Sequence, residues 1–594
     1  MELKRLFDFL TKQVAAQPNR PFLSAKVAGA SGKVWKNYSF ADVQDEANRV
    51  SQLLLDLGLK KDDKIAIISA NRPEWNFVDL GTMQIGMIPV PMYPTISEKD
   101  YEFIFNDASI QYAFVGDADV LKRVQPLMGK VPSLKGVYIF DKVGGTPNLE
   151  DAAPKKEAVN VKAIEEMKNA VSEHDLATII YTSGTTGNPK GVMLTHLNIV
   201  SNLTSVVQIV PFKEGEKALS FLPLCHTFER AVFYAYNLMG IHIHYAENLE
   251  TIGENLKEVQ PYCFTTVPRL LEKVYEKIMA KGNDLTGFKR KLFFWSMDLG
   301  ARYELGVDQG LVYNIQLAIA RKLVFSKWQE ALGGRIEFIF TGAAAMQGRL
   351  IKLFAAAGVN IIEGYGLTET SPVLTANRMD EKERCVGTVG YTIPGVTVKL
   401  AEDGEILAHG PNIMKGYYNR PDLTAEVINS EGWFHTGDIG TWVKHHGKEF
   451  LKITDRKKEL FKTSGGKYVA PQVIENKMKE SRFIEQMIVV GNDQKFVAAL
   501  IVPSFLNLHD WAKENGLSVS SNEQIVNNDK IKQLINEEVE RYNADFGKWE
   551  QVKKFTLMSE EWTVEGGQLT PTMKLKRKVI MDRYAHHVND LYRD

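Results

Sequence analysis

The run Tyr181-Thr182-Ser183-Gly184-Thr185-Thr186-Gly187-Asn188-Pro189-Lys190-Gly191 decides how this chain is read. Ala177 to Ile180 before it has strand character, and His196 to Val210 after it has the pattern of a helix. Glycines let backbone N–H groups turn toward an anion, Ser and Thr hydroxyls add donors, and Lys190 adds positive charge. The run therefore predicts a loop that holds the phosphates of a nucleoside triphosphate. Thr182, Ser183, Gly184, Thr185, Thr186, Gly187 and Lys190 are its binding residues.

The loop is not of the Walker A type. That motif places Lys directly after its last glycine and then Ser or Thr for magnesium. Here Asn188 and Pro189 separate Gly187 from Lys190, and Gly191 follows. A P-loop kinase or GTPase is disfavoured.

The chain has 594 residues, 44% apolar and 24% charged, which is globular composition spread over at least two domains. Its 72 basic and 73 acidic residues leave a formal net charge of -1, so nothing global points to nucleic acid as a partner. The three cysteines, Cys225, Cys263 and Cys385, are scattered and odd in number. This argues for a reducing compartment and against a disulfide framework. No uncharged stretch reaches the roughly 18 apolar residues that span a bilayer, and the N-terminus lacks a secretory signal pattern. A cytoplasmic location is expected. Peripheral contact with the inner membrane face is left open, as is the oligomeric state, with a homodimer among the alternatives.

Between Lys64 and Asp141 short apolar runs alternate with helical stretches, as expected of βαβ units around a largely parallel sheet. The alternation resumes at Ala218 to Leu222, Ile241 to Tyr245, Cys263 to Val267 and Ile336 to Phe340. Phe288 to Ala331 reads as a long helical insert whose apolar residues pack in the core. Lys155 to His174 reads as a solvated surface connection. From about Gly390 the texture changes to short strands and turns. After Thr454 to Lys458 comes a compact α+β pattern: a hairpin at Met487 to Val490 and Val497 to Val502, then an amphipathic helix through Ile531 and Val539.

The expected fold class is α/β. A large N-terminal region, residues 1–455, holds mixed parallel sheets with flanking helices and a β-rich subdomain at about 390–455. A small mobile α+β domain follows at 456–594.

The glycine-rich run resembles the phosphate loop of the adenylate-forming superfamily, which comprises acyl-CoA synthetases, adenylation domains and luciferases. Four further segments resemble it in the same order. In Gly364-Tyr365-Gly366-Leu367-Thr368-Glu369-Thr370 the Tyr ring beside glycines offers a stacking face for adenine. A carboxylate near phosphates suits magnesium. The resemblance implies that Tyr365, Gly366 and Thr368 contact the nucleotide and that Glu369 and Thr182 hold Mg2+. Gly432-Trp433-Phe434-His435-Thr436-Gly437-Asp438 implies Asp438 on the ribose hydroxyls, and a carboxylate is an acceptor suited to two hydroxyls. Asp455-Arg456-Lys457-Lys458-Glu459-Leu460 resembles the hinge, where Arg456 contacts ribose or phosphate. Leu569-Thr570-Pro571-Thr572-Met573-Lys574 resembles the segment that delivers the catalytic lysine, here Lys574.

Pro223 to Glu229 resembles the segment whose His lines the acyl-carboxylate site, which points to His226, and Thr341 to Ala345 offers small side chains for a slim acyl chain. A Cys225–His226 thiol dyad is disfavoured because adjacent residues on a strand point to opposite sides. His242 and His244 lack a visible third metal ligand.

The pattern is most similar to AMP-forming long-chain fatty acyl-CoA synthetases, through Val267-Pro268-Arg269-Leu270, the helical insert, and Lys462 to Pro471 with Gly465 and Gly466 facing coenzyme A. The resemblance implies ATP, Mg2+, a fatty acid and coenzyme A as reaction components. The alternatives are a fatty acyl-AMP ligase that loads a carrier protein, and an ATP-binding regulatory or scaffold protein without catalysis.

Overall fold

The computed structural model describes residues 2–29, 32–182, 188–210, 212–570 and 574–593. Among these residues, strands Ile88–Met92, Lys64–Ile68, Ile110–Val115 and Gly136–Ile139 form a four-stranded sheet, in that spatial order and all parallel. Lys64–Ile68 sits between two neighbours, and Ile65 through Ile68 are fully buried. This is why the strand reads as a continuous apolar run with no alternation.

A nine-stranded sheet runs in the order Tyr391–Thr392, Val373–Ala376, Asn360–Gly366, Phe338–Thr341, Cys263–Thr266, Lys217–Ser220, His242–Tyr245, Pro21–Gly29 and Gly32–Ser39. The strands from Asn360–Gly366 through Pro21–Gly29 are parallel, and antiparallel strands close both edges.

The glycine-rich run differs from the expectation in one respect. Lys190–Thr195 is itself a strand, antiparallel to Leu176–Thr182 and to Gly416–Tyr417, and the helix His196–Val206 starts only after it. The run thus links two strands of a hairpin, with Thr182 opposite Lys190. Thr195 begins the helix by accepting from the Asn198 N–H at 3.1 Å, while the Asn198 side chain returns to the Thr195 N–H at 2.9 Å. The helix stops four residues short of the expected Val210.

Lys155 to His174 holds a helix, Val161–Ala170, with Ile164 in the core, so it is only partly the solvated connection expected. The insert Phe288 to Ala331 is likewise corrected. It forms helices Gly287–Ala301 and Leu311–Ala320, a π-turn Arg321–Phe325 and helix Ser326–Ala331. Phe293, Met297, Leu317, Val324, Phe325 and Trp328 pack in the core, but Leu311, Val312, Ile315, Ile319 and Leu323 are exposed. Apolar residues cover more than one side of this helix, and periodicity does not tell which side has a partner.

After Gly390 an antiparallel sheet forms from Thr397–Leu400, Glu405–His409, Phe434–His445 and Lys448–Arg456. The last part has its own apolar core, drawn from residues between Val469 and Leu591. Its sheet pairs Ile484–Val490 antiparallel to Val497–Pro503, with Val552–Leu557 parallel beside it, and helix Asp529–Asn543 buries Ile531, Ile535 and Val539. The two cores meet through few polar contacts. Arg269 pairs with Glu485, Arg290 lies 3.3 Å from Glu514, and Asn283 donates to Asp510 at 3.4 Å. Among the described residues no helix is long and apolar enough to cross a membrane.

Under the four-stranded sheet Arg230 is fully buried with Asp79, and it also donates to Thr178 at 2.6 Å. Tyr234 donates to the same carboxylate. Asp79→Ala leaves the guanidinium charged without a partner, so it is expected to destabilise the protein by about 3–5 kcal/mol. Asp119→Ala, which removes the exposed partner of Lys122, is expected to change stability by less than about 1 kcal/mol. Urea midpoints followed by tryptophan fluorescence compare the two.

Candidate active site

The site is built where the ends of the sheets meet the C-terminal part. Strand Phe434–His445 is in register with Lys448–Arg456, so that Asp438 faces Arg456 directly, with Arg456 Nε 3.5 Å from Asp438 Oδ1. The Tyr365 hydroxyl donates to Asp438 Oδ2 at 2.7 Å. Burial pushes the Asp438 carboxyl up from its ordinary range, while Arg456 and the Tyr365 hydrogen bond pull the other way. The Tyr365 ring lies in an apolar cluster with Leu374, Ile406, Ala408 and Leu451, and Tyr365 is only 8% exposed. Its hydroxyl therefore fixes the carboxylate, a role not apparent from the motif.

Gly366 is required by the backbone, since a Cβ there would lie 1.6 Å from the Pro372 carbonyl oxygen. The turn Thr368–Thr370 follows directly. It is held by Met414 N–H donating to the Glu369 carbonyl at 2.9 Å and by Asn412 donating to the Thr370 carbonyl at 2.8 Å. Thr368 is buried in this turn.

Glu369 Oε1 accepts from the Tyr417 hydroxyl at 2.9 Å, and the Lys190 ammonium lies 4.9 Å from the Tyr417 ring centroid. Tyr417 was not among the residues singled out from the sequence. It reaches the site through its pairing with Val192 in the unanticipated strand. Burial raises the Glu369 carboxyl, opposed by hydrogen bonds and by Lys190. A carboxylate disfavoured by desolvation, with only one oxygen engaged by Tyr417, suits a cation. Among the described residues no group of three or more His, Cys, Asp and Glu side chains could cage a metal. Magnesium needs no such cage, because it binds through one or two carboxylates together with substrate phosphates. Glu369 therefore fits Mg2+, and Thr182 stands at the strand end opposite Lys190. Ser183, Gly184, Thr185, Thr186 and Gly187 lie outside the described residues.

Lys574 belongs to the C-terminal part and is tied to Thr570 by its backbone. Thr570 N–H donates to the Lys574 carbonyl at 2.8 Å, and Lys574 N–H donates to Thr570 Oγ1 at 3.0 Å. Burial, reinforced by the Arg456 charge, lowers the Lys574 ammonium to about 8, although Asp438, Glu459 and Glu369 all favour its charged form. Glu459 also belongs to a chain of ions, 3.9 Å from Arg456 and 3.5 Å from Arg577, and Arg577 reaches Glu475 at 2.5 Å. Lys457, in the same segment, pairs with Asp403 at 2.7 Å and Glu405 at 2.8 Å.

His226 caps the helix Thr227–Met239, its Nδ1 accepting from the Phe228 N–H at 3.2 Å. That bond assigns the proton to Nε2. Burial lowers the ring to about 4 and Lys574 adds to the effect, so His226 is a neutral N–H donor at pH 7. Ala343, in the small-residue segment, has φ of +70°, a conformation uncommon outside glycine.

Gly465 and Gly466 stand apart from this cluster, on an exposed turn between Phe461–Lys462 and Tyr468–Val469, where Gly466 has φ of +78°. Cys225 is buried and its thiol is raised by burial, the opposite of an activated nucleophile. His242 and His244 are lowered to about 4 and 3 by burial, and His242 shares a 2.7 Å hydrogen bond with Ser24, in keeping with a structural role.

Residues 10–418 match the AMP-binding enzyme family and residues 459–594 its C-terminal domain, and the chain belongs to this family. It is 32% identical to human long-chain-fatty-acid–CoA ligase 1, with 100% of this chain and 87% of that protein aligned. It is also 32% identical to the Mycobacterium bovis long-chain-fatty-acid–CoA ligase FadD15, with 94% and 93% covered. The adenylation domain of a carboxylate reductase from Mycobacterium chelonae has the same fold, with a TM-score of 0.76 at 21% identity over 99% of this chain and 91% of that one.

The electrostatics are testable without any assay of turnover. Competitive amine labelling read by mass spectrometry is expected to show Lys574 titrating near about 8, and Asp438→Asn is expected to lower that value further.

Proposed function

We propose that the protein is an AMP-forming long-chain fatty acid–CoA ligase. A carboxylate oxygen of the fatty acid attacks the α-phosphorus of ATP, the bond from that phosphorus to the bridging oxygen breaks, and acyl-AMP and pyrophosphate form. The sulfur of coenzyme A then attacks the acyl carbonyl, the bond to AMP breaks, and the thiol proton passes to solvent.

The observation that carries the reading is Lys574 set among Asp438, Arg456 and Glu369, with the opposing charges that tune it. A nucleotide whose ribose hydroxyls donate to Asp438 places its phosphates toward Lys190 and Thr182. Arg456, beside Asp438, contacts ribose or phosphate. Lys574 neutralises charge as the carboxylate attacks and pyrophosphate departs, and the Nε2–H of His226 orients the acyl carboxylate. Glu369, with Thr182, holds magnesium, which when bound offsets phosphate charge. Gly342 to Ala345 offer small side chains for the acyl chain, and the positive φ of Ala343 is in keeping with a specialised segment there.

The chain divides at the hinge into residues 1–455 and 456–594. The separate apolar core of the second part and the sparse polar contacts between the two support movement of one against the other. Rotation about the hinge withdraws Lys574 and brings Gly465 and Gly466 to the site for the second step. The ligase relatives favour coenzyme A over a carrier protein as acceptor.

The test is ATP/pyrophosphate exchange with palmitate, followed by addition of coenzyme A. Palmitoyl-CoA and AMP are expected. Each buried methylene contributes about 0.8 kcal/mol, so palmitate is expected to outcompete acetate by orders of magnitude. Acetate used as well as palmitate, or exchange without thioester formation, overturns the assignment.

A further inference from the structure

Helix Leu311–Ala320 has ten residues and no charge, which is unusual for an element at the surface of a protein. One side is anchored. Leu317 and Ala320 join the core with Val324 and Phe325, the Tyr313 hydroxyl donates to the Leu299 carbonyl at 2.9 Å, and Arg321 Nε donates to the Ala356 carbonyl at 2.7 Å. Its start is fixed as well, because Asp308 Oδ1 accepts from Gly310 N–H at 3.0 Å and from Asn314 Nδ2 at 3.1 Å.

The other side faces outward with Leu311 76% exposed, Val312 71%, Ile315 53%, Ile319 44% and Leu323 50%. At about 100° per residue Leu311, Val312, Ile315 and Ile319 fall within one third of the helix circumference, so they form a stripe and are not scattered. Isolated exposed apolar residues need no explanation, whereas these are contiguous and rigidly mounted, a small patch whose size suits shallow insertion at a bilayer interface.

Charge identifies the occupant. From Leu311 to Gln329 the charged residues are Arg321, Lys322 and Lys327, all basic, and the nearest acidic residues in the chain, Asp308 and Glu330, lie outside the stripe. Lys322 and Lys327 are exposed, and among the described residues neither forms an ion pair. Large aliphatic side chains flanked by unpaired lysines at one end match a bilayer interface. There the apolar side chains enter the acyl boundary and the lysines reach anionic headgroups. Size argues against a second copy of the chain. The stripe is about 20 Å long and about 10 Å wide, or on the order of 200 Å2, against roughly 800 Å2 per partner in a stable dimer.

We infer that the outward face of Leu311–Ala320, extended by Lys322, Leu323 and Lys327, docks the protein on an anionic lipid bilayer. The inference deepens the acyl-CoA reading, which supplies a reason to work where fatty acids partition. It is tested apart from it. Flotation with phosphatidylcholine vesicles containing roughly a third phosphatidylglycerol measures docking, and pyrophosphate exchange with palmitate presented on serum albumin and no vesicles measures chemistry.

The native protein is expected to float with these vesicles, and less so as salt is raised. Ile315→Asp combined with Ile319→Asp, and separately Lys322→Glu combined with Lys327→Glu, are expected to reduce binding roughly tenfold or more. Exchange without vesicles and the thermal midpoint are expected to stay unchanged, since none of these four side chains is buried or belongs to the active site. The inference is overturned if the native protein does not float or if both variants float equally well. It is also overturned if light scattering shows a dimer that the same substitutions dissociate. Loss of exchange in the native protein would count against the ligase reading and leave the flotation result standing.

Discussion

Placing the ammonium of Lys574 away from water and near the Arg456 guanidinium is unfavourable, and Asp438, Glu459 and Glu369 supply the opposing charge that sustains it. These groups come from three places in the chain. Glu369 lies in the turn that follows a parallel-sheet strand, Asp438 in the antiparallel subdomain, and Lys574 close to the C-terminus. The charge balance therefore exists only while the C-terminal part is docked. The same balance explains the neighbours: Tyr365 fixes one oxygen of Asp438, and Arg577 and Glu475 extend the ion chain behind Glu459.

Two kinds of contact hold this arrangement, and they differ in strength. Each part keeps its own apolar core. Between them lie a largely buried pair, Arg269 with Glu485, and an exposed one, Arg290 with Glu514, the latter at 41% and 57% side-chain exposure. Contacts of that exposure contribute little individually and break and re-form readily. In the proposed reaction cycle that weakness is useful, because one docked arrangement must give way to another between the two steps.

Much of this was legible in the sequence for a physical reason. A phosphate-holding role would need glycines and hydroxyls close together in the chain, which is why residues 182–190 stand out in the sequence, and Glu369, Asp438 and Lys574 sit in short segments of similar kind. The parallel sheets were legible because strands buried on both faces, such as Lys64–Ile68, read as unbroken apolar runs. Contacts made across the fold were not. Tyr417 reaches Glu369 only because the loop is a hairpin whose second strand pairs with Gly416–Tyr417. The Tyr365 motif suggested a stacking ring, whereas the hydrogen bond to Asp438 depends on a partner 73 residues away. The insert was expected in the core because its apolar residues outnumber its charges. Which of its faces lacks a neighbour is a tertiary fact that periodicity does not contain.

The central claim is that Lys574 serves the adenylating arrangement and leaves the site for the second step. Comparing the two half-reactions in Lys574→Ala tests it most directly. Palmitate-dependent ATP/pyrophosphate exchange is set beside thioester formation from supplied palmitoyl-AMP and coenzyme A. The account predicts that exchange falls by roughly 100-fold or more while thioester formation stays near the native rate. Equal loss in both half-reactions, or exchange that survives the substitution, would contradict it.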